Sequence, residues 1–141
     1  SLYNLGVVAR RRGRLDEAQA LYEEALAITA RLVPDGYADD AYAHNGLGLV
    51  HMDRGELDEA AARFARSVEI SRHFLGDRHP NVGVVLASLG HVHLLQGRLE
   101  EAGPMLEQSL SILLESVPDH PRIPSVRADL ESCGIVSEDR D

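Results

Sequence analysis

The residues that could perform catalysis are few, and they do not form a recognisable catalytic arrangement. Cys133 is the single cysteine, and no base is predicted beside it to activate its thiol as a nucleophile. Gly46 and Gly48 are separated by one residue but lie within a predicted helix, whereas a nucleotide-binding fingerprint requires a strand and a phosphate loop. The sequence has no Gly-x-Ser-x-Gly elbow. We therefore expect a protein that is not an enzyme and needs no cofactor.

The sequence contains seven histidines, which could in principle bind a metal, but their spacing argues against a metal site. His91 and His93 are two residues apart, which directs them to different faces of a helix. His44 and His51 lie two helical turns apart, and no cysteine is near them. Because structural zinc requires four converging ligands, we expect no metal.

Four arginines form a dense basic run near the amino terminus: Arg10, Arg11, Arg12 and Arg14. An arginine can pair bidentately with a carboxylate or a phosphate, so an acidic peptide is one ligand hypothesis for Arg10 and Arg11. The alternative is that the run stabilises the carboxyl end of a helix, where cations are favourable.

The composition limits the classes of partner. The net charge of −9 argues against nucleic acid, whose binding depends on phosphate neutralisation, and against an anionic membrane surface. The single cysteine fits a reducing, cytoplasmic location, and neither a secretory nor a transmembrane segment is visible. Because aromatic residues make up only 4% of the chain and Trp is absent, the core is expected to be aliphatic, as in helix-on-helix packing.

The chain repeats itself with a period of 42 residues, without gaps. Leu5-Gly6 returns as Leu47-Gly48 and as Leu89-Gly90. The other identical triplets are Val8/Val50/Val92, Gly13/Gly55/Gly97, Leu15/Leu57/Leu99, Glu17/Glu59/Glu101, Ala18/Ala60/Ala102, Ile28/Ile70/Ile112 and Asp35/Asp77/Asp119. A period in this range indicates stacked supersecondary units, none of which can bury its apolar face alone.

Each copy is predicted to be a pair of helices joined by a tight turn. Apolar residues recur with a helical period on both sides of a glycine, and glycine suits a helix end that needs positive φ. Acidic residues follow each glycine and suit the first turn of the next helix. The predicted helices are at about 1–12, 16–32, 38–54, 58–75, 80–96, 100–116 and 122–133.

The linkers between copies differ from one another. The second and third contain His79-Pro80 and His120-Pro121, whereas the first has Tyr37-Ala38. Both prolines suit the first position of a helix, and we expect both histidines to hydrogen-bond a helix end.

The spacing of small and apolar residues resembles the tetratricopeptide repeat. Each copy has Leu-Gly in its first helix, Ala twelve residues later, a large residue four further on and a small residue three beyond. These are Leu5-Gly6, Ala18, Tyr22 and Ala25; Leu47-Gly48, Ala60, Phe64 and Ser67; and Leu89-Gly90, Ala102, Leu106 and Ser109. The 42-residue period and the Leu-Gly-Asp-Arg-His-Pro linker at 75–80 are similar to the kinesin light chain type.

The resemblance implies an all-α fold, a right-handed superhelix or α-solenoid of three helix pairs plus a C-terminal capping helix. One repeat domain is expected over 1–133, with repeats at about 1–36, 37–79 and 80–120 and a cap helix at 121–133. The cap is expected to turn a polar face to solvent. Residues 134–141 are expected to be a disordered acidic tail.

The resemblance also implies a peptide-binding groove, because the family presents its first helices on a concave surface. The groove residues would be Tyr3, Asn4, Val7, Arg10 and Arg11; Tyr42, Asn45, Leu49, Met52 and Asp53; and Val84, Ala87, Ser88, His91 and Leu95. Their helical spacing independently places them on a face that the core does not use. The amides of Asn4 and Asn45 can donate to and accept from a peptide backbone.

The predicted function is a non-catalytic scaffold module that binds a protein or peptide partner, as a fragment of a larger protein. One alternative is a regulatory domain that controls an attached kinase, ATPase or transcription-regulator domain. Another is end-to-end self-association into a homo-oligomer, because the first helix has no upstream repeat to cover its stacking face.

Overall fold

The structure, a computed structural model, describes residues 1–135, and all regular secondary structure within that range is helical. The helices are α1 (Leu2–Arg11), α2 (Leu15–Leu32), α3 (Asp40–Asp53), α4 (Leu57–Leu75), α5 (Pro80–Leu95), α6 (Leu99–Ser116) and α7 (Ile123–Ser132). This order confirms the predicted succession of three helix pairs and a final helix. The chain divides into two compact units: unit 1 is Ser1–Leu75, and unit 2 begins at Gly76.

The turn inside each helix pair has the same geometry in all three copies. Gly13, Gly55 and Gly97 have φ of +75°, +78° and +78°, a region that residues with a Cβ rarely adopt. At the first turn the N–H of Arg14 donates to the carbonyl of Ala9 at 2.9 Å. The corresponding bonds in the other turns, Glu56 to His51 and Arg98 to His93, are both 2.8 Å. These bonds satisfy carbonyls that the helix end leaves free, so the predicted role of the glycines is confirmed.

A close approach of the two helices in each pair explains the repeated Leu-Gly motif. A Cβ added to Gly48 would lie 2.6 Å from Cε1 of Phe64, and one added to Gly90 would lie 2.7 Å from Cγ of Leu106. The ring of Tyr22 fills the same space beside Gly6, and the ring also contacts Gly46 of the next repeat. The large residue of each second helix therefore fits only because the first helix has no side chain there.

Each unit has its own apolar core, and both are mostly aliphatic. One buried cluster of unit 1 consists of Ala9, Ala18, Tyr22, Ala43, Leu47 and Val50, and Phe64 of α4 is fully buried as well. The cluster of unit 2 consists of Ala87, Ala102, Leu106, Leu110, Leu113, Ile123, Val126 and Leu130. Seven of the eight residues in the second cluster belong to the periodic apolar positions of α6 and α7.

The last helix packs on unit 2 by its apolar face. Ile123, Val126 and Leu130 of α7 are buried, whereas Ser125 and Glu131 are exposed. The helix begins after Pro121 rather than at it, and Pro124 occupies its first turn. Beyond the helix, Ile135 packs against the core cluster of unit 2. The predicted disordered tail falls largely on residues 136–141, which lie outside the described residues.

Two repeat positions of α1 are more exposed to solvent than the equivalent positions of α3 and α5. Leu5 is 56% exposed and Val8 is 44% exposed, whereas Leu47, Val50, Leu89 and Val92 are buried. The same residue type at the same repeat position therefore has two environments. In α3 it is packed against a neighbouring helix pair, and in α1 it faces solvent.

Candidate protein-binding surface

Predicted groove residues on α1 and α3 meet in unit 1. The ring centroids of Tyr3 and Tyr42 are 5.7 Å apart, and Tyr3 is 5.9 Å from the buried Tyr22. Tyr3 and Val7 are partly buried and pack against the core cluster of unit 1. We call the predicted groove residues of these two helices the α1–α3 face. Its members are Tyr3, Asn4, Val7, Arg10, Arg11, Tyr42, Asn45, Leu49, Met52 and Asp53.

Of the three tyrosines in contact, Tyr22 is buried and Tyr3 is partly buried. The pKa of Tyr22 is raised to about 12, chiefly by burial and also by the neighbouring Tyr3, while Arg10 and Arg11 oppose the rise. Burial also raises the pKa of Tyr3 above its ordinary value, with Tyr42 adding to the effect and Arg11 opposing it. Both phenols therefore remain neutral at physiological pH and act as hydrogen-bonding aromatic surface rather than as acids or bases.

An ion pair ties α1 to α3 at the other end of the face. Nε of Arg10 donates to Oδ2 of Asp53 at 3.0 Å, and Nη2 donates to Oδ1 at 3.3 Å. Both side chains were predicted groove residues, and each now satisfies the other in a bidentate pair. Arg11 is exposed and makes no ion pair within residues 1–135. An acidic ligand would therefore find Arg11 available, whereas Arg10 is engaged.

The two asparagines have different environments. Asn4 is exposed, and its backbone N–H donates to the Ser1 hydroxyl at 3.3 Å. Asn45 is partly buried, and its Oδ1 is enclosed without a hydrogen-bond donor among the described residues. An enclosed acceptor without a donor is unfavourable, and a donor from outside could reach this oxygen only if neighbouring side chains moved. Leu49 and Met52 are partly exposed beside it.

The predicted residues of unit 2 are largely covered by α7. Ser88 is 3% exposed, and its hydroxyl accepts a hydrogen bond from Nη1 of Arg122 at 3.3 Å. Nδ1 of His91 lies 2.9 Å from Oδ2 of Asp129. Val84 packs partly buried against the core, and Ala87 is buried. Of this set, Leu95 alone is exposed, by 53%, so the open part of the predicted groove is the α1–α3 face.

A cavity of about 490 Å³ adjoins the tyrosine end of this face. Besides Tyr3 and Tyr42, it is lined by residues that the sequence analysis did not select, including Ala25 and Ile28 of α2 and Tyr37, Asp39 and Asp40. One signal was visible in the sequence, because Tyr37-Ala38 replaces the His-Pro of the other linkers. We call this space the tyrosine cavity.

Several histidines form hydrogen bonds within the protein. The side chains of His79 and His120 accept from the backbone N–H groups of Asn81 and Arg122 at 3.1 and 3.0 Å, which confirms the predicted helix-end bonds. His51 lies 2.9 Å from the Glu56 carboxylate. Burial lowers the pKa of His44 to about 4, with Arg63 and Arg66 adding to the effect and Asp40 opposing it. No group of three metal-ligating side chains converges within residues 1–135.

The environment of Cys133 does not activate its thiol. Burial raises the thiol pKa, and the nearby Asp129 carboxylate raises it too. Reactive thiols have lowered pKa values and electropositive neighbours, so this environment is the opposite of a nucleophile site.

The repeated helix pairs and their shared turn geometry define a helical repeat protein. Tetratricopeptide repeat family models match residues 39–115 and residues 1–36. The chain belongs to the tetratricopeptide repeat family, whose members are generally non-catalytic scaffolds for protein interaction. No curated protein matches this sequence.

Solved structures of this class superpose on the chain. BtubC (BKLC) from P. vanneervenii is 21% identical with a TM-score of 0.84, over 94% of this chain and 53% of that one. A Podosopora anserina structure, described as the nearly identical TPR-like repeats of a candidate kinesin light chain, is 22% identical with a TM-score of 0.78, over 94% and 64%. The Yersinia enterocolitica type III secretion translocator chaperone SycD is 17% identical with a TM-score of 0.74, over 94% and 81%.

These similarities confirm the fold class, an all-α solenoid of tetratricopeptide repeats, and the Podosopora structure is described as belonging to the kinesin light chain type that the sequence resembles. The chain spans about half of the BtubC structure and about two thirds of the Podosopora one. Within the described residues, no helix is both long and apolar enough to cross a bilayer.

Proposed function

We propose that this chain is a scaffold module that binds an extended segment of a partner protein on the α1–α3 face. The observation that carries the proposal is the chemistry of that face. It presents half-exposed tyrosine and aliphatic side chains. Next to them are amides whose hydrogen-bonding groups are not all paired within the described part of the protein. Apolar surface with a few placed polar groups is what a binding site requires.

The rigidity of the face supports the same proposal. Arg10 and Asp53 join α1 to α3, and the Tyr3 ring contacts both Tyr22 and Tyr42. A face whose side chains are held by their neighbours loses little entropy when a ligand binds. An extended peptide would then be held by the asparagine amides through its backbone and by the tyrosines through its side chains.

The test compares three forms of the chain as bait in a proteome pull-down. These are the unaltered chain, the face variant Asn4→Ala/Asn45→Ala, and a control variant Glu24→Ala/Glu59→Ala on exposed positions of α2 and α4. Each partner is then reduced to its binding segment, and the dissociation constant of that segment is measured. We expect the face variant to bind about tenfold more weakly, as loss of hydrogen bonds to a peptide backbone predicts, and the control to bind normally. Equal affinity of all three forms would contradict the proposal.

Self-association is a second candidate function, favoured by the exposure of Leu5 and Val8. In this case a second copy of the chain would cover the outer side of α1. Light scattering across a concentration series measures the mass directly. The candidate requires a mass that rises with concentration and a Leu5→Gln/Val8→Gln variant that stays monomeric; a constant monomer mass excludes it.

A further inference from the structure

The tyrosine cavity is an apolar recess built entirely within unit 1. It lies between the start of α1, the second half of α2 and the start of α3. Ala25 and Ile28 of α2 contribute aliphatic surface, as do Leu2 and Ala43. Its volume of about 490 Å³ falls within the range of about 300–1,000 Å³ that is typical of ligand pockets.

Three of the four tyrosines of the chain line this one cavity. Tyr37 is 52% exposed and Tyr42 is 37% exposed, although both rings border an apolar recess. Exposure of such rings to water is unfavourable. A group of exposed aromatic side chains around a recess is typical of an interaction site. The aromatic surface faces the same space as the aliphatic surface, so an apolar side chain would be surrounded on several sides.

The cavity also carries an acidic rim that has no cationic partner. Oδ2 of Asp40 accepts from the backbone N–H of Tyr37 at 3.2 Å. Within residues 1–135, no ion pair includes Asp39 or Asp40. Arg66 of α4 borders a neighbouring cavity that Asp40 also lines, but it pairs with Glu69 at 2.9 Å.

We infer that the tyrosine cavity binds an apolar side chain of a partner peptide together with an adjoining arginine or lysine. The apolar group would occupy the recess formed by Ala25 and Ile28. The neighbouring cation would lie over the tyrosine rings, which attract cations through their π faces, and would pair with Asp39 or Asp40. The inference rests on the proposed function and adds a preferred sequence to it, a basic one rather than the acidic one that Arg10 and Arg11 suggested.

The test uses synthetic hexapeptides of the form acetyl-Gly-Ser-X-Z-Ser-Gly-amide. X is Phe, Leu or Ser, and Z is Arg, Lys, Gln or Glu. The full chain has no Trp, so its emission comes from tyrosine, and quenching by these peptides reports on the cavity. We expect Phe-Arg and Leu-Arg peptides to bind best. Replacing Arg by Gln should weaken binding about tenfold, as loss of one charge-assisted hydrogen bond predicts.

Two variants separate the cavity charge from general effects of charge. Asp39→Asn/Asp40→Asn removes two charges at the rim with little change in shape. Glu24→Gln/Glu59→Gln removes two charges from exposed positions elsewhere in unit 1. The rim variant should lose most of the preference for Arg over Gln and keep only the part that the tyrosine rings supply, whereas the control should keep the tenfold preference. Circular dichroism checks that both variants fold.

Each failure has a different meaning. If peptides bind through the face, so that Asn4→Ala/Asn45→Ala weakens them all, but Arg gives no advantage over Gln or Glu, the cavity inference is wrong and the proposed function stands. An arginine preference that is undiminished in the rim variant also overturns the inference, because the charge responsible then lies elsewhere. If no partner segment binds to the face at all, in either this test or the pull-down, both proposals fail.

Discussion

Gly48 shows how strictly a single residue is constrained in this protein. A Cβ at this position would lie 2.6 Å from Cε1 of Phe64, which is fully buried. The Phe64 ring cannot move into free space, because interiors are close-packed. The glycine is therefore required for the approach of α3 and α4, not for an unusual backbone conformation.

We predict that Gly48→Ala lowers the free energy of unfolding by about 1–3 kcal/mol, the usual cost of overpacking, even though alanine favours helix over glycine by about 1 kcal/mol. Urea denaturation measures the change. In a Phe64→Ala background the added methyl group has room, so the same substitution should cost less or become stabilising. An equal cost in both backgrounds would show that the ring is not the cause.

His44 gives a residue-scale prediction about pH. Its pKa falls from 6.5 to about 4 in the folded protein, because burial and the neighbouring Arg63 and Arg66 disfavour the charged ring. Between these two values the unfolded chain binds the proton and the folded chain does not. The contribution of His44 to stability is therefore complete above pH 6.5 and is lost as the pH falls toward 4.

The measurement is the free energy of unfolding at several pH values from 7 to 4. His44→Gln should flatten this pH profile relative to the unaltered chain. His73→Gln, a substitution at an exposed histidine, is the matched control and should leave the slope unchanged. If the His44 and control profiles coincide, the histidine does not titrate as its environment indicates.

At the residue scale the sequence predicted the packing positions better than the candidate site. Gly6 and Gly48 could be recognised because the repeat shows them more than once. Tyr37 lies in a linker that differs from its counterparts, and Asp40 begins the helix that follows it, so no repeat pattern singles them out. Their meeting in the tyrosine cavity depends on how that linker folds back on α2, which the period does not encode.

At the scale of elements, a buried serine joins the two helices of a pair in two of the three repeats. The Ser67 hydroxyl donates to the carbonyl of Ala41 at 2.7 Å, and Ser109 donates to that of Gly83 at 2.6 Å. Both serines are fully buried. The small residue noted in the repeat thus allows close packing and also supplies a hydrogen bond between the helices. Its type alone did not reveal this second role.

We predict that Ser67→Ala and Ser109→Ala each lower the free energy of unfolding by about 0.5–1.5 kcal/mol, the usual net contribution of a hydrogen bond. Ser116→Ala, an exposed position at the end of α6, should have almost no effect. Urea denaturation of the three variants checks the difference. A cost at Ser116 equal to that at Ser109 would remove the support for the interhelical bond.

Helix boundaries were predictable because their signals are local. Glycine with positive φ ends the first helix of each pair, and acidic residues begin the next one. The start of α7 was harder, because Pro121 and Pro124 both suit the first turn of a helix. The structure uses Pro124, which moves the helix start beyond the predicted proline.

At the scale of the whole molecule, identical residues at equivalent positions of the repeat differ in their exposure to solvent. Leu5 and Leu47 occupy the same position in their copies, yet Leu5 is 56% exposed and Leu47 is fully buried. In a repeat protein each repeat is stabilised by the repeats next to it, so the environment of a residue depends on which repeats adjoin its own. The sequence predicted the shared position but not the degree of exposure.

This difference in exposure between Leu5 and Leu47 leads to a prediction in which the same substitution is made at both positions. Leu47→Ala should lower the free energy of unfolding by about 2–5 kcal/mol, because it leaves a cavity in the core of unit 1. Leu5→Ala should change it by less than about 0.5 kcal/mol, as surface substitutions do. Urea denaturation at low protein concentration measures both. If Leu5→Ala proves as costly as Leu47→Ala, α1 is covered in solution. A cost that grows with protein concentration would then identify the cover as a second copy of the chain.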